Sequence, residues 1–218
     1  MLLQPGISVI ADAILETRRI FQRMENYVIY RITETIRILF FTCLSILLLG
    51  FYPITAVMVV LLAILNDIPI LTISYDNVLE HREPTRWDVR KILAASTALG
   101  LTGVVSSFLL LYIADKVLKL GMAAIQTLVF LKLVVAGHST LFITRARGHL
   151  WSKPYPSLLL FLAVIGTDLA ATFIAALGLV IAPIGWALTA LTWAYCLAWM
   201  LVNDVVKVLV FRALGAGL

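Results

Sequence analysis

Two charged residues, Arg37 and Asp67, lie in strongly apolar stretches of the sequence, where ionisable side chains are costly and usually functional. Each is 15 residues from Tyr52, on opposite sides of it. If two antiparallel helices meet at Tyr52, this equal spacing puts both charges about 22 Å from the turn, at 1.5 Å per residue. A guanidinium and a carboxylate at one depth can form a charge-assisted contact, so we predict that Arg37 and Asp67 pair.

The residues around Asp67 could supply further oxygen ligands. Pro69 has no N–H, so the Leu65 carbonyl loses its helical partner, which predicts a kink or a short unwound stretch. That carbonyl, the Asn66 amide and the Asp67 carboxylate suit a proton or a hydrated cation. The carboxylate could bind and release a proton as its burial and its distance from Arg37 change. The alternative is a structural polar contact that pins two helices.

A second depth-matched pair is predicted from Lys132 and Asp168. A buried salt bridge between their two spans is one interpretation, and a proton relay is the other. His138, near the end of the same span as Lys132, is expected to be a hydrogen-bonded packing residue rather than a ligand. Asp204 and Lys207 are three residues apart and are expected to form a solvated pair at a helix end.

The elements that position these residues must be membrane helices. The 218 residues are 62% hydrophobic and only 13% charged, and the mean hydropathy is +1.03. Soluble domains have about 45–50% apolar and about 25% charged residues. This composition excludes a disordered chain, a nucleic-acid-binding module and a disulfide-rich secreted scaffold. The sequence contains no metal-spaced Cys/His cluster, nucleophile elbow or phosphate-binding glycine loop, so we expect no metal and no nucleic-acid partner.

The fold class predicted from hydropathy is all-α and polytopic, with six transmembrane helices in three antiparallel hairpins. The transmembrane domain is predicted over 31–204, with a cytoplasmic stalk over 1–30 and a short cytoplasmic tail over 205–218. The predicted spans are about 31–51, 54–73, 92–114, 121–144, 157–178 and 184–204.

Basic residues predict the orientation. Thirteen of the 17 Lys and Arg residues would lie on one side of the membrane, and only Lys116 and Lys119 on the other. By the positive-inside rule, both termini and both long loops are predicted to be cytoplasmic.

One long first helix is predicted, because there is no glycine or proline between Gly6 and Gly50. A 43-residue helix would be about 65 Å long, roughly twice the 30 Å hydrocarbon core. Its first part, 1–30, would therefore be a cytoplasmic stalk that transmits motion to the first span. The alternative is an amphipathic helix on the membrane surface with a bend near Asn26.

Several segments resemble a known family. The N-terminal segments are similar to the stalk and fifth transmembrane helix of plasma-membrane-type, proton-pumping P-type ATPases: 4–10 (QPGISVI), 19–27 (RIFQRMENY) and 35–38 (TIRI). The segments 63–67 (AILND) and 71–76 (LTISYD) resemble the sixth helix, and 142–145 (FITR) resembles the end of the eighth. The resemblance covers essentially the whole chain, in order.

The resemblance implies that the chain corresponds to the last six of ten helices. Asp67 would be the proton acceptor and donor of transport, and Arg37 the arginine that favours proton release and opposes back-flow. No transport role carries over to Lys132 or Asp168. The family's phosphorylated aspartate motif (D-K-T-G-T), its T-G-E-S motif and its nucleotide-binding domain are not in this sequence, so whether the chain is an enzyme by itself stays open.

We therefore expect the membrane transport portion of an ATP-driven proton or cation pump. Its expected partners are the lipid bilayer, the transported H⁺ and the remaining ATPase domains or a subunit that carries them. ATP and Mg²⁺ are expected only in those cytoplasmic parts, and no cofactor is expected in this chain. The alternatives are a stand-alone passive proton or cation channel or carrier, and a non-transporting membrane subunit or remnant.

Overall fold

The structure, a computed structural model, describes residues 7–78, 88–145 and 148–214, with side chains from Val9 onward. Every long element of these residues is α-helical, so the all-α prediction is confirmed. The helices are α1 (Ile7–Leu49), α2 (Ala56–Thr72), α3 (Val89–Tyr112), α4 (Met122–Thr144), α5 (Leu158–Leu177) and α6 (Gly185–Ala213).

All six helices are long and apolar enough to cross a membrane, which makes the chain a multi-pass membrane protein. Their bounds agree with the predicted spans to within a few residues at most ends. α6 is the exception, because it continues past the predicted end at 204 to Ala213. Part of the predicted tail is therefore helical, whereas 215–218 lie outside the described residues.

α1 is one helix of 43 residues and is unbroken at Asn26, as the absence of glycine and proline predicts. Residues 1–6 of the chain, which include part of the segment 4–10 of the family resemblance, are outside the described residues. The same is true of Arg82, Arg86 and Arg147, three of the basic residues on which the predicted orientation depends. The orientation stays a prediction.

α2 corrects the expectation of an unwound stretch near Asp67. The helix is continuous through Pro69 to Thr72 and is followed by a single 3₁₀ turn, Ile73–Tyr75. The Thr72 hydroxyl donates to the Pro69 carbonyl at 2.7 Å.

α4 is the central helix of the bundle and packs against all five others. Within its most apolar window, 94% of the residues are buried, against 28–50% in the other helices. Phe130, Leu131, Leu133 and Val134 have no exposed surface. A polar side chain on α4 therefore needs a partner from a neighbouring helix.

Candidate functional site

Arg37 is buried between α1 and α4 and is only 1% exposed. Its Nη2 donates to Glu34 Oε2, one turn earlier in α1, at 2.5 Å and to the Leu133 carbonyl at 3.1 Å. Its Nη1 donates to Thr140 Oγ1 at 3.4 Å. The guanidinium is thus neutralised within its own helix and fixed against α4.

Two glycines make room for the Arg37–Glu34 pair. A Cβ atom at Gly103 of α3 would lie 2.6 Å from Arg37 Cδ. A Cβ atom at Gly137 of α4 would lie 3.0 Å from Arg37 Nη2 and 3.2 Å from Glu34 Oε2. All three distances are shorter than ordinary van der Waals contact, so a larger residue at either position would displace the pair.

The ion pair of Arg37 corrects the predicted Arg37–Asp67 contact. Equal spacing from Tyr52 predicts depth but not the direction in which a side chain leaves its helix. Arg37 points towards α4 and binds Glu34, whereas Asp67 lies on the exposed face of α2. Sequence reasoning missed Glu34, although its spacing of three residues from Arg37 is typical of ion pairs along a helix.

Asp67 forms no ion pair or hydrogen bond within the described part of the chain. It is exposed and flanked by apolar side chains, among which Ile64 and Ile68 are 55% and 47% exposed. Asn66 points the other way: it is 6% exposed, and its Oδ1 has no partner among the described residues. Leu65 and Pro69 are also buried. The predicted ligand residues therefore lie on two faces of α2.

Lys132 and Asp168 correct the second predicted pair, because each binds a different residue. Lys132 Nζ donates to Ser107 Oγ at 2.5 Å and to the Gly103 carbonyl at 3.3 Å, both on α3. Asp168 Oδ1 is 2.6 Å from His138 Nδ1. Lys132 and His138 are six residues apart on α4, about 120° around the helix, and so meet different neighbours.

His138 is hydrogen-bonded and buried, as the sequence predicts for a packing residue. Asp204 and Lys207 do form an ion pair, at 2.9 Å, but the pair is not solvated: their side chains are 2% and 1% exposed. Lys207 Nζ also donates to the Ile143 carbonyl at 3.0 Å, and His149 Nδ1 is 2.9 Å from Asp204 Oδ2. The cause is the extension of α6, which brings this turn against the end of α4.

Asp76 and Arg145 form another buried ion pair, which the sequence analysis did not predict. It joins four segments at one end of the bundle. Arg145, just after α4, contacts both carboxylate oxygens of Asp76, at 2.9 and 3.1 Å. The Asp76 Oδ1 atom accepts from the Ser157 N–H at 2.9 Å, and its carbonyl accepts from Arg23 Nε of α1 at 2.8 Å. Asn26 Nδ2 donates to the Arg145 carbonyl at 3.0 Å. This contact ties α1 to the ends of α2 and α4 and to the start of α5.

None of these clusters offers a site with enough ligands for a metal ion. Among the described residues, no group of three His, Cys, Asp or Glu side chains could hold one. The chemistry available in the bundle is therefore charge stabilisation and proton exchange by carboxylates and histidine. The two carboxylates whose surroundings differ most are Glu34, held by Arg37, and Asp67, held by nothing in the described chain.

Comparison with known proteins identifies relatives that cover almost the whole of this chain. No protein-family model matches the chain. A protein of Methanocaldococcus jannaschii named as a cation-transporting ATPase is 63% identical over 214 residues, which are 98% of this chain and 27% of that protein. Two proteins of Leishmania donovani named as proton ATPases 1A and 1B are each 28% identical over 258 residues, covering 99% of this chain and 26% of theirs.

The chain thus spans about a quarter of the length of the relatives it matches. Similarity at this level, over almost the whole chain, confirms the resemblance found in the sequence. With its six helices apolar enough to span a membrane, the chain is homologous to the membrane portion of the P-type cation-transporting ATPases.

Proposed function

We propose that the chain is the membrane transport portion of an ATP-driven P-type proton pump, with Asp67 as the group that accepts and releases the proton. The homology to a cation-transporting ATPase supports the pump, and the names of the two Leishmania relatives support the proton as the ion. The local segment around Asp67 matches the sixth helix of the proton-pumping family.

The observation that carries the proposal is the exposure of Asp67 on an apolar helix. A carboxylate in a membrane helix is expensive against lipid and needs protein or water beside it. On α2 the surrounding exposed side chains are apolar, and no described residue pairs with Asp67. In the proposal, other helices of the longer pump pack against this face and complete a proton path that passes Asp67.

In this proposal the Arg37 side chain keeps a fixed position. Its guanidinium is bound to Glu34, the Leu133 carbonyl and Thr140, so it does not swing towards Asp67 in this arrangement. We assign it the role that the resemblance implies: a positive charge in the bundle that opposes the return of protons. Its effect on Asp67 then acts through space and depends on how far α2 moves.

The remaining parts of the proposal concern the assembly. The N-terminal part of α1 is the cytoplasmic stalk, the six helices form three hairpins, and both termini are cytoplasmic in the plasma membrane. ATP and Mg²⁺ are bound by the nucleotide-binding and phosphorylation domains of the pump and not by this chain. Motion of those domains reaches the membrane through α1, which is continuous from Ile7 to Leu49.

The test is ATP-driven acidification of proteoliposomes that contain the complete pump. Asp67→Asn keeps the shape of the side chain and removes the titrating group, so we expect proton uptake to be abolished. Asp115→Asn is the matched control, because Asp115 is an exposed carboxylate paired with Lys116 at 2.8 Å, and it should pump at the wild-type rate.

Pumping by Asp67→Asn at the wild-type rate would overturn the assignment. Proton leak through liposomes that contain only the 218-residue chain, without ATP, would instead support the passive channel or carrier. No flux under either condition, with co-purification of a larger ATPase subunit, would support a non-transporting membrane subunit.

A further inference from the structure

A histidine and an aspartate form a second titratable pair deep in the bundle, away from Asp67. His138 of α4 is 0% exposed and Asp168 of α5 is 4% exposed. Their Nδ1 and Oδ1 atoms are 2.6 Å apart, which is close enough for a charge-assisted hydrogen bond. The other ring nitrogen, His138 Nε2, is buried and has no partner in the described part of the chain.

Hydrogen bonds of side chains join α5 to α6 close to Asp168. The Thr172 hydroxyl donates to the Asp168 carbonyl at 2.7 Å, one turn along α5. Trp193 of α6 donates from Nε1 to the Thr172 hydroxyl at 3.0 Å. These hydrogen bonds link α5 to α6 one turn from Asp168, and the contact of the carboxylate itself is with His138.

A groove adjoins the aspartate of this pair. Asp168 lines a groove of about 310 Å³ between α4, α5 and α6, whose other polar members are Ser139 and Arg145. Leu150 and Pro156, in the loop before α5, lie at the same groove. A groove of this volume is large enough for several water molecules, each of which needs about 30 Å³ and polar partners.

We propose that His138 and Asp168 form a second proton-binding site, separate from Asp67, that exchanges its proton with water in this groove. With an ionised carboxylate and a neutral imidazole the pair carries one negative charge. One proton from a water molecule in the groove neutralises the pair, and the hydroxide left behind is neutralised by bulk buffer. The proton is then shared along the Nδ1–Oδ1 contact.

The surroundings of the His138–Asp168 pair favour a proton over a metal cation as the bound ion. On α1, Glu34 and Arg37 pair with each other, so they add no net charge. On α4, Lys132 is held by groups of α3, and on α6 the Cys196 Sγ atom contacts the Lys132 carbonyl at 3.9 Å. A metal cation at the pair would find only one carboxylate and one imidazole as ligands.

The test is ¹⁵N nuclear magnetic resonance of the full chain in lipid nanodiscs, with labelled histidine. The three histidines are assigned with His→Gln variants at 81, 138 and 149. We expect the ring shifts of His138 to change with pH between about pH 5 and pH 8, the range in which histidine side chains change charge. The change should be lost in Asp168→Asn and unaltered in Asp67→Asn, which makes the result independent of the proposed pump.

Constant His138 shifts over this range in the wild-type chain would overturn the proposal. An unchanged titration in Asp168→Asn, with wild-type helicity and a single elution peak, would also overturn it. If Asp168→Asn does not fold, Asp168→Glu replaces it: because this variant keeps a carboxylate, it should keep the titration of His138, and a loss of titration in the folded variant would contradict the site.

Discussion

The charged residues on the buried side of α1 are paired, whereas the charged residue on the exposed side of α2 has no partner among the described residues. On α1, the Arg37 guanidinium donates to three partners: Glu34, the Leu133 carbonyl and Thr140. On α2, Asp67 has none among the described residues and points away from the bundle core. The buried charges of α1 thus bind other groups of this chain, whereas the carboxylate of α2 has no such partner and is the one to which our proposal assigns proton binding.

Removing a partner from the buried side should have the largest effect on stability. Glu34→Ala leaves the Arg37 guanidinium buried without its counter-charge, which costs about 3–5 kcal/mol. The measurement is the free energy of unfolding of the chain in detergent micelles. Glu16→Ala is the control: the Glu16 side chain is 50% exposed and pairs with Arg19 and Arg23, so it should cost less than about 1 kcal/mol. An equal loss of unfolding free energy in the two variants would show that the buried ion pair matters no more to stability than the exposed one.

Filling the space beside the Arg37 side chain should have an intermediate effect. Gly103→Ala places a Cβ atom 2.6 Å from Arg37 Cδ, and overpacking of this kind costs about 1–3 kcal/mol. Gly166→Ala on α5 is the control, because nothing lies within 4 Å of its Cβ position, and it should be neutral or slightly stabilising. Thermal unfolding of both variants in the same detergent checks the difference. A Gly103→Ala variant as stable as wild type would show that the Arg37 position is not tightly packed.

Changing Asp67 should have the smallest effect on the stability of this chain. Asp67→Asn breaks no contact within the described residues, so its free energy of unfolding should stay within about 0.5 kcal/mol of wild type. The same unfolding assay measures it. If Asp67→Asn lowers the free energy of unfolding as much as Glu34→Ala does, Asp67 is a structural residue like the buried charges.

Periodicity and hydropathy predict the helices well, because burial in lipid requires long apolar helices. The first helix is unbroken since no glycine or proline interrupts it from Ile7 to Leu49. The pairing of charges was harder to predict. Spacing from Tyr52 gives the depth of Arg37 and Asp67, but the rotation of each helix decides that Glu34, and not Asp67, is the partner.

The same limit explains the other corrections. Lys132 and Asp168 match in depth, yet the rotation of α4 turns Lys132 to Ser107 and leaves His138 to meet Asp168. Asp204 was expected in water because α6 was expected to end near it; the helix continues to Ala213 and buries the pair. The Asp76–Arg145 contact joins residues 69 positions apart, and no local pattern indicates it.

The most direct test of the contrast between the two regions is ATP-driven proton transport by the complete pump, expressed per folded molecule. Two carboxylates are compared: Asp67, which has no partner in the described chain, and Asp204, which is paired with Lys207. We predict that Asp67→Asn abolishes transport and that Asp204→Asn lowers the amount of folded protein while each folded molecule still pumps. Transport by Asp67→Asn together with its loss in folded Asp204→Asn would contradict the account.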